Sequence, residues 1–228
     1  MLLTPEDITA IWLSLKVALT ATLLSLPFGF AAAWLLVFKT LRGKVVLEVL
    51  VNLPLTLPPV VIGYFLLLLL GKNGWLGKVL AETGIQLIFT WKAAVIASAV
   101  VGFPLLVRSI RLGMESIDRQ LIDASRSLGA SWYDSLLTII LPLSRRGIFS
   151  GASLMFARSL GEFGATIIVA GNMPGRTQTI PLAIYDYTSS PSSTTMALSL
   201  CLVSVVISVA VLLLHEMLDK QLDRSTTS

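Results

Sequence analysis

Two ionisable residues four positions apart, Arg158 and Glu162, stand inside a stretch from Gly147 to Gly171 that is otherwise long and apolar enough to cross a membrane. Ionised side chains at membrane depth are costly, so they normally face a bundle interior or a watery cavity and are functional candidates by default. The i, i+4 spacing puts both on one helical face, where they can neutralise each other as a structural pair. The other reading is passage of an anion: Arg158 lends positive potential, and Gly161 and Gly164 permit a break whose exposed N–H groups could face an oxyanion. Such a site should be weak, because a pathway must release what it binds. Both readings stay open on these residues alone.

Other chemistry is excluded more simply. No Gly-x-x-x-x-Gly-Lys-Ser/Thr occurs, and neither Gly43-Lys44 nor Gly71-Lys72 has that glycine spacing, so the chain has no nucleotide-binding loop of this type. His215 is the only histidine, which removes histidine triads and histidine metal clusters. The single cysteine, Cys201, has no CxxC or histidine partner and reads as packing. No catalytic residue, metal ligand or cofactor is therefore assigned to this chain, which reads as non-enzymatic.

The elements that position Arg158 and Glu162 are membrane helices. Of 228 residues, 55% are hydrophobic and 13% charged, and the mean hydropathy is +0.84, beyond the usual range of soluble domains. Apolar runs of about 20 residues, enough for a hydrocarbon core about 30 Å thick, consume most of the length. One membrane domain, residues 1–228, is the economical reading. Spans are predicted at about 11–38, 45–70, 89–107, 147–171 and 196–214, giving an all-α polytopic bundle of five helices. The first run is too long, and lacks a small-residue cleavage pattern, to read as a removed signal peptide. The net charge of +4 carries no basic block, so it marks membrane orientation and not nucleic-acid binding.

Basic residues near span ends stay on the cytoplasmic side. Lys39, Arg42 and Lys44 lie between spans one and two, six arginines from Arg108 to Arg146 between spans three and four, and Lys220 and Arg224 after span five. The opposite side receives Lys72, Lys78, Lys92 and Arg176. Five crossings then place the N-terminus outside and the C-terminus in the cytoplasm. Pro27, Pro54, Pro58, Pro59 and Pro104 fall within spans. Each removes a backbone hydrogen bond and tends to kink its helix, so span two is not expected to be one straight helix. Pro58 and Pro59 serve either shape alone or a bent helix that lines or gates a pathway. A loop from Asn172 to Thr195, with a short helix at Ile180 to Tyr187, completes the outer side. No internal repeat is visible.

Between spans three and four, Ile117, Leu121, Ala124 and Leu128 recur at four, three and four, one face of a short helix at about 117–129. A helix of this length is marginal alone in water, so its apolar stripe should dock on something. That surface is headgroups, the undersides of its own spans or a partner protein.

Asp123-Ala124-Ser125, then Gly129, Ile139 and Leu141-Pro142, match step for step the EAA signature of importer-type ABC permeases: Glu-Ala-Ala, three residues, Gly, nine residues, Ile, one residue, Leu-Pro. Asp123 replaces Glu and Ser125 replaces Ala, keeping charge and small size. Physically, Gly129 supplies a permissive turn after the helix and Pro142 can open the next one. The chain as a whole resembles molybdate permeases, through Leu53-Pro54, Leu57-Pro58-Pro59, Phe103-Pro104 with Arg108 and Arg111, and the stretch Ala157 to Thr166. Sulfate permeases look similar around Gly161-Glu162-Phe163-Gly164-Ala165-Thr166; the short length and five spans favour the molybdate branch.

The resemblance implies the type I importer permease fold and a bacterial inner-membrane location. It also implies a coupling helix seated in a cytoplasmic ATPase, a homodimer with two such ATPase subunits that bind ATP and magnesium, and an external oxyanion-binding protein. Alternating access would carry molybdate, or tungstate, past the spans. The rival from another class, a self-sufficient secondary transporter or channel, should show paired intramembrane carboxylates or repeats, and neither is clear here.

Overall fold

Thr4 starts the first helix. Its hydroxyl accepts the Asp7 N–H while the Asp7 carboxylate accepts the Thr4 N–H at 2.7 Å, a reciprocal capping box reinforced by Pro5 at the first helical position. The computed structural model describes residues 3–40, 42–189 and 194–224. Among these there is no strand. Three helices are continuous and long enough to cross a membrane: α1 (Pro5–Phe38), α5 (Trp91–Glu115) and α12 (Thr194–Arg224). Two further helix pairs are long and apolar enough only when taken together, which makes up to five crossings if each bent pair is one. α2 (Lys44–Thr56) and α3 (Pro59–Leu70) meet at 114°, and α9 (Arg145–Leu160) and α10 (Gly164–Ala170) at 65°.

Shorter helices fill the connections. α4 (Trp75–Glu82) and α11 (Ile180–Thr188) lie at one end of the bundle. At the other, α6 (Arg119–Ser127) is followed by a helical segment made of α7 (Trp132–Ser135), a π-helical turn (Leu136–Ile140) and α8 (Leu141–Leu143). The polar run predicted as loop at Ser190, Pro191, Ser192 and Ser193 lies outside the described residues.

α5 is the centre of the bundle, buried along most of its length against α1 and α9. α1 lines the bundle with small residues, Ala10, Ser14, Ala18, Ala21, Ser25, Gly29 and Ala33, all buried, which lets helix axes approach closely where lipid supplies no hydrophobic drive: Gly29 meets Leu106 of α5, whereas Ala10 packs with Ala183 of α11 and Leu200 of α12. Ser14 and Thr22 return their hydroxyls to the Ala10 and Ala18 carbonyls. α11 docks on the start of α1: the Ile180 N–H donates to Ser14 Oγ at 2.8 Å and the Tyr187 hydroxyl to Asp7 at 2.9 Å. α12 is the exception to close packing. Leu202, Val205, Val206, Leu212, Leu213 and Leu214 are all exposed, a surface that bilayer or a second subunit has to cover.

Several predicted boundaries move. Span three was expected to stop at Val107 because arginines follow, yet α5 continues through Arg108 and Arg111 to Glu115. Arg111 is neutralised by Glu48 and Glu115, both at 2.7 Å, so the charge need not end the helix. Span one begins six residues earlier than expected, at Pro5, and span five runs on to Arg224. The coupling helix is shorter than 117–129, since Asp118 caps it and Gly129 terminates it. Pro142 is the second residue of α8, a first-turn position. It sits inside the segment Trp132–Leu143, where its ring would collide with the carbonyl four residues back. The π turn relieves this, with the Leu141 N–H reaching back to the Leu136 carbonyl.

Candidate functional site

At the end of the bundle that carries Lys39, Arg42, Arg145 and Arg146, each helix of the coupling segment is started and stopped by its own residues. The Asp118 carboxylate accepts the Gln120 N–H at 2.9 Å at the start of α6. At its end Gly129 adopts φ +91°, while the Gly129 and Ala130 N–H groups return to the Arg126 and Ser125 carbonyls at 3.0 and 3.1 Å. This is a Schellman closure, which an L side chain at position 129 would strain. Ser131 and Asp134 then form a second capping box that opens α7. The Ser131 hydroxyl, and next its N–H, hold the Asp134 carboxyl below its ordinary value, so the cap is ionised at neutral pH.

The EAA residues take different parts. Ser125 shares a hydrogen bond of 2.8 Å with Ser135, which is fully buried, tying α6 to α7. Ile139 packs against the core, whereas Asp123, Leu141 and Pro142 are exposed. Of the expected docking face, Leu121, Ala124 and Leu128 point outward, Leu121 at 49% exposure and Leu128 at 90%. Ile117 does not join them. It is buried with Ile122 in the chain's own core, so α6 has an inner apolar arc that anchors it and an outer one left uncovered. Trp132 completes the anchor, its ring 5.3 Å from Trp34 of α1, with the Lys39 ammonium 5.2 Å from the latter.

The second cluster lies where the two bent crossings meet. α3 packs along α10, and backbone touches backbone there. A Cβ on Gly63 would come within 2.8 Å of the Ala165 carbonyl oxygen, and one on Gly164 within 3.0 Å of Pro59 Cβ. Pro59, Gly164, Arg158 and Glu162 therefore share one neighbourhood. Pro58 precedes α3 as its cap residue, and Gly161 closes α9 with open space around it. Arg158 and Glu162 form an ion pair at 2.8 Å, with side-chain exposures of 31% and 1%. The second Glu162 oxygen accepts the Ala165 N–H at 2.8 Å. The break expected to offer a free N–H to an oxyanion instead presents Ala165 to the chain's own carboxylate.

A family model described as binding-protein-dependent transport system inner membrane component matches residues 25–224. The chain belongs to this family. Among its relatives, the permease is 49% identical over 219 residues, 96% of each chain, to the molybdenum transport system permease protein ModB of Haemophilus influenzae. To the protein of the same name in Escherichia coli K12 it is 48% identical over 221 residues, again 96% of each. A sulfate transport system permease protein, CysW of Synechococcus elongatus, is 33% identical over 95% of this permease and 76% of that chain. In fold the permease resembles the inward-facing MetNI methionine ABC transporter, with TM-score 0.73 at 16% identity, covering 94% of this chain and 95% of that one.

Of the permease's seam residues, Ala165 was quoted only within the stretch Ala157 to Thr166, and Gly63 was not singled out from the sequence. Gly63 follows Pro59 by one helical turn, which is the only local signal that α3 has a small face there. Ser131 and Asp134 carried a readable signature, Ser-x-x-Asp before an apolar run, and Ser135 carried none.

Proposed function

We propose that this chain is the membrane permease of an ATP-driven molybdate importer, with tungstate as a close congener. The observation that carries the reading is near-complete alignment, at 49% identity, with a molybdenum transport permease; the sulfate relative is more distant and only partly covered. Two copies form the pathway, each with one cytoplasmic ATPase subunit that binds ATP and magnesium. An external binding protein delivers the oxyanion. The outward arc of α6, Leu121, Ala124 and Leu128 with Asp123 beside it, seats in a groove of the ATPase. Ile122, Trp132 and Ser125 transmit its movement to α1 and α5. The N-terminus is outside and the C-terminus in the cytoplasm, as the basic residues around α6 require.

Closure of the ATPase pair on the coupling segment drives alternating access. The discriminating measurement is uptake of labelled molybdate by cells expressing the complete importer, with tungstate and sulfate as competitors. Tungstate is expected to compete and sulfate not to. Sulfate competing as well as tungstate would overturn the substrate, and uptake that survives ATP depletion would overturn the importer.

A further inference from the structure

Away from the helix ends, four cations stand in α1, α5 and the α9–α10 pair: Lys16, Arg108, Arg111 and Arg158. Three are already engaged. Lys16 lies 3.9 Å from the Trp91 ring centre, Arg111 is held by Glu48 and Glu115, and Arg158 is held by Glu162. Among the described residues Arg108 has neither an ion-pair nor a hydrogen-bond partner. It is exposed and lines a cavity of about 270 Å³ with Leu36 of α1, Val51 and Asn52 of α2, and Pro104 and Arg111 of α5. This unpaired guanidinium, about 10 Å from the end of α5, opens onto that cavity, where water or a ligand can reach it.

We propose that Arg108, with Asn52, is a transient binding site for the transported tetrahedral oxyanion on its way through the permease; this rests on the importer reading above. The planar guanidinium fork suits two oxygens of such an anion. Asn52 uses one amide N–H on the Glu48 carbonyl at 2.7 Å, which leaves its second N–H for the ligand. The neighbouring charges keep the site weak. Arg111 faces two carboxylates, so one negative charge in excess lies beside Arg108 and limits how long an anion stays, as conduction demands. Arg158, for which the sequence left an anion-pathway role open, is unsuited to this task because Glu162 already holds it.

The test uses the full complex in proteoliposomes with its binding protein, at matched amounts of assembled transporter. Arg108→Gln should lower uptake of labelled molybdate by about tenfold or more, the scale of one lost charge-assisted contact, and Arg108→Lys should recover most of it. Uptake by the Gln variant within twofold of wild type would overturn the site. A second arm keeps Arg108, introduces Val51→Cys in the lining of the same cavity in a Cys201→Ala background, and applies a membrane-impermeant anionic thiol reagent. Labelling slowed by molybdate, with the slowing lost when Arg108→Gln is added, supports the site; labelling that molybdate does not slow overturns it. Liposomes with Arg108 intact that take up no molybdate, while labelling at position 51 is slowed by sulfate, would sink the substrate reading and keep the oxyanion site.

Discussion

Between Asp118 and Pro142 the hydrogen bonds are local, the longest in sequence joining Ser125 to Ser135, ten residues apart. The seam between α3 and α10 brings Gly63 against Ala165, from opposite halves of the chain. The coupling segment holds its shape by caps and leaves Leu121 and Leu128 uncovered. The seam leaves no space at the contact and buries a carboxylate. A segment left uncovered can thus be preorganised by its own residues, while a bent pair of helices depends on tertiary contacts. Damage to the two should differ in kind: the seam should fail by loss of the fold, and the coupling segment by loss of communication.

The largest effect is expected at Arg158→Leu. It strands the Glu162 carboxylate, 1% exposed, with only the Ala165 N–H, and breaking a buried pair in this way costs about 3–5 kcal/mol. Assembled complex should largely disappear, and Arg158→Leu combined with Glu162→Leu should recover it. Size-exclusion yield and thermal melting in detergent check both. A single variant that assembles normally but does not transport would move Arg158 into the pathway and erase the contrast drawn above.

A smaller loss, about 1–3 kcal/mol by overpacking, is expected for Gly63→Ala, because the new methyl meets backbone and not a flexible side chain. Its melting temperature should fall while binding of the ATPase subunit persists. An unchanged melting curve would mean that the seam yields. Leu128→Ser should leave stability within about 0.5 kcal/mol, as for surface substitutions generally, since the residue is 90% exposed. The same variant should weaken capture of the ATPase subunit in co-purification. Full capture, with full stimulation of ATP hydrolysis by loaded binding protein, would show that the outer arc of α6 is not the docking face.

What could be read from the sequence follows the same division. Gly129, the EAA spacing and the five apolar runs are local patterns, and the caps and crossings stand near where those patterns put them. Pro58 and Pro59 announced a break but not its 114° size, which depends on α3 finding α10. Ile117 was assigned to the outer face because its spacing to Leu121 fits, yet a helix as short as α6 has two apolar arcs, and only packing decides which turns inward. The arginines after Val107 were read as the end of a crossing; Glu48, distant in sequence, reaches Arg111 and lets the helix continue. The spacing of Arg158 to Glu162 made their pairing readable, whereas nothing local shows that Arg108 is left without a partner.

The π turn at Leu136–Ile140 carries a geometric consequence for how a push on α6 travels. A π turn holds one residue more than the α-helix around it, so everything before it is out of angular phase with everything after it by one residue, about 100°. Rewinding that single turn would rotate α7, and α6 attached to it, by that angle about the axis of the segment Trp132–Leu143 and change its length by only about 1.5 Å. One residue therefore sets the angle at which α6 is presented relative to α9, and Pro142 stands just after it.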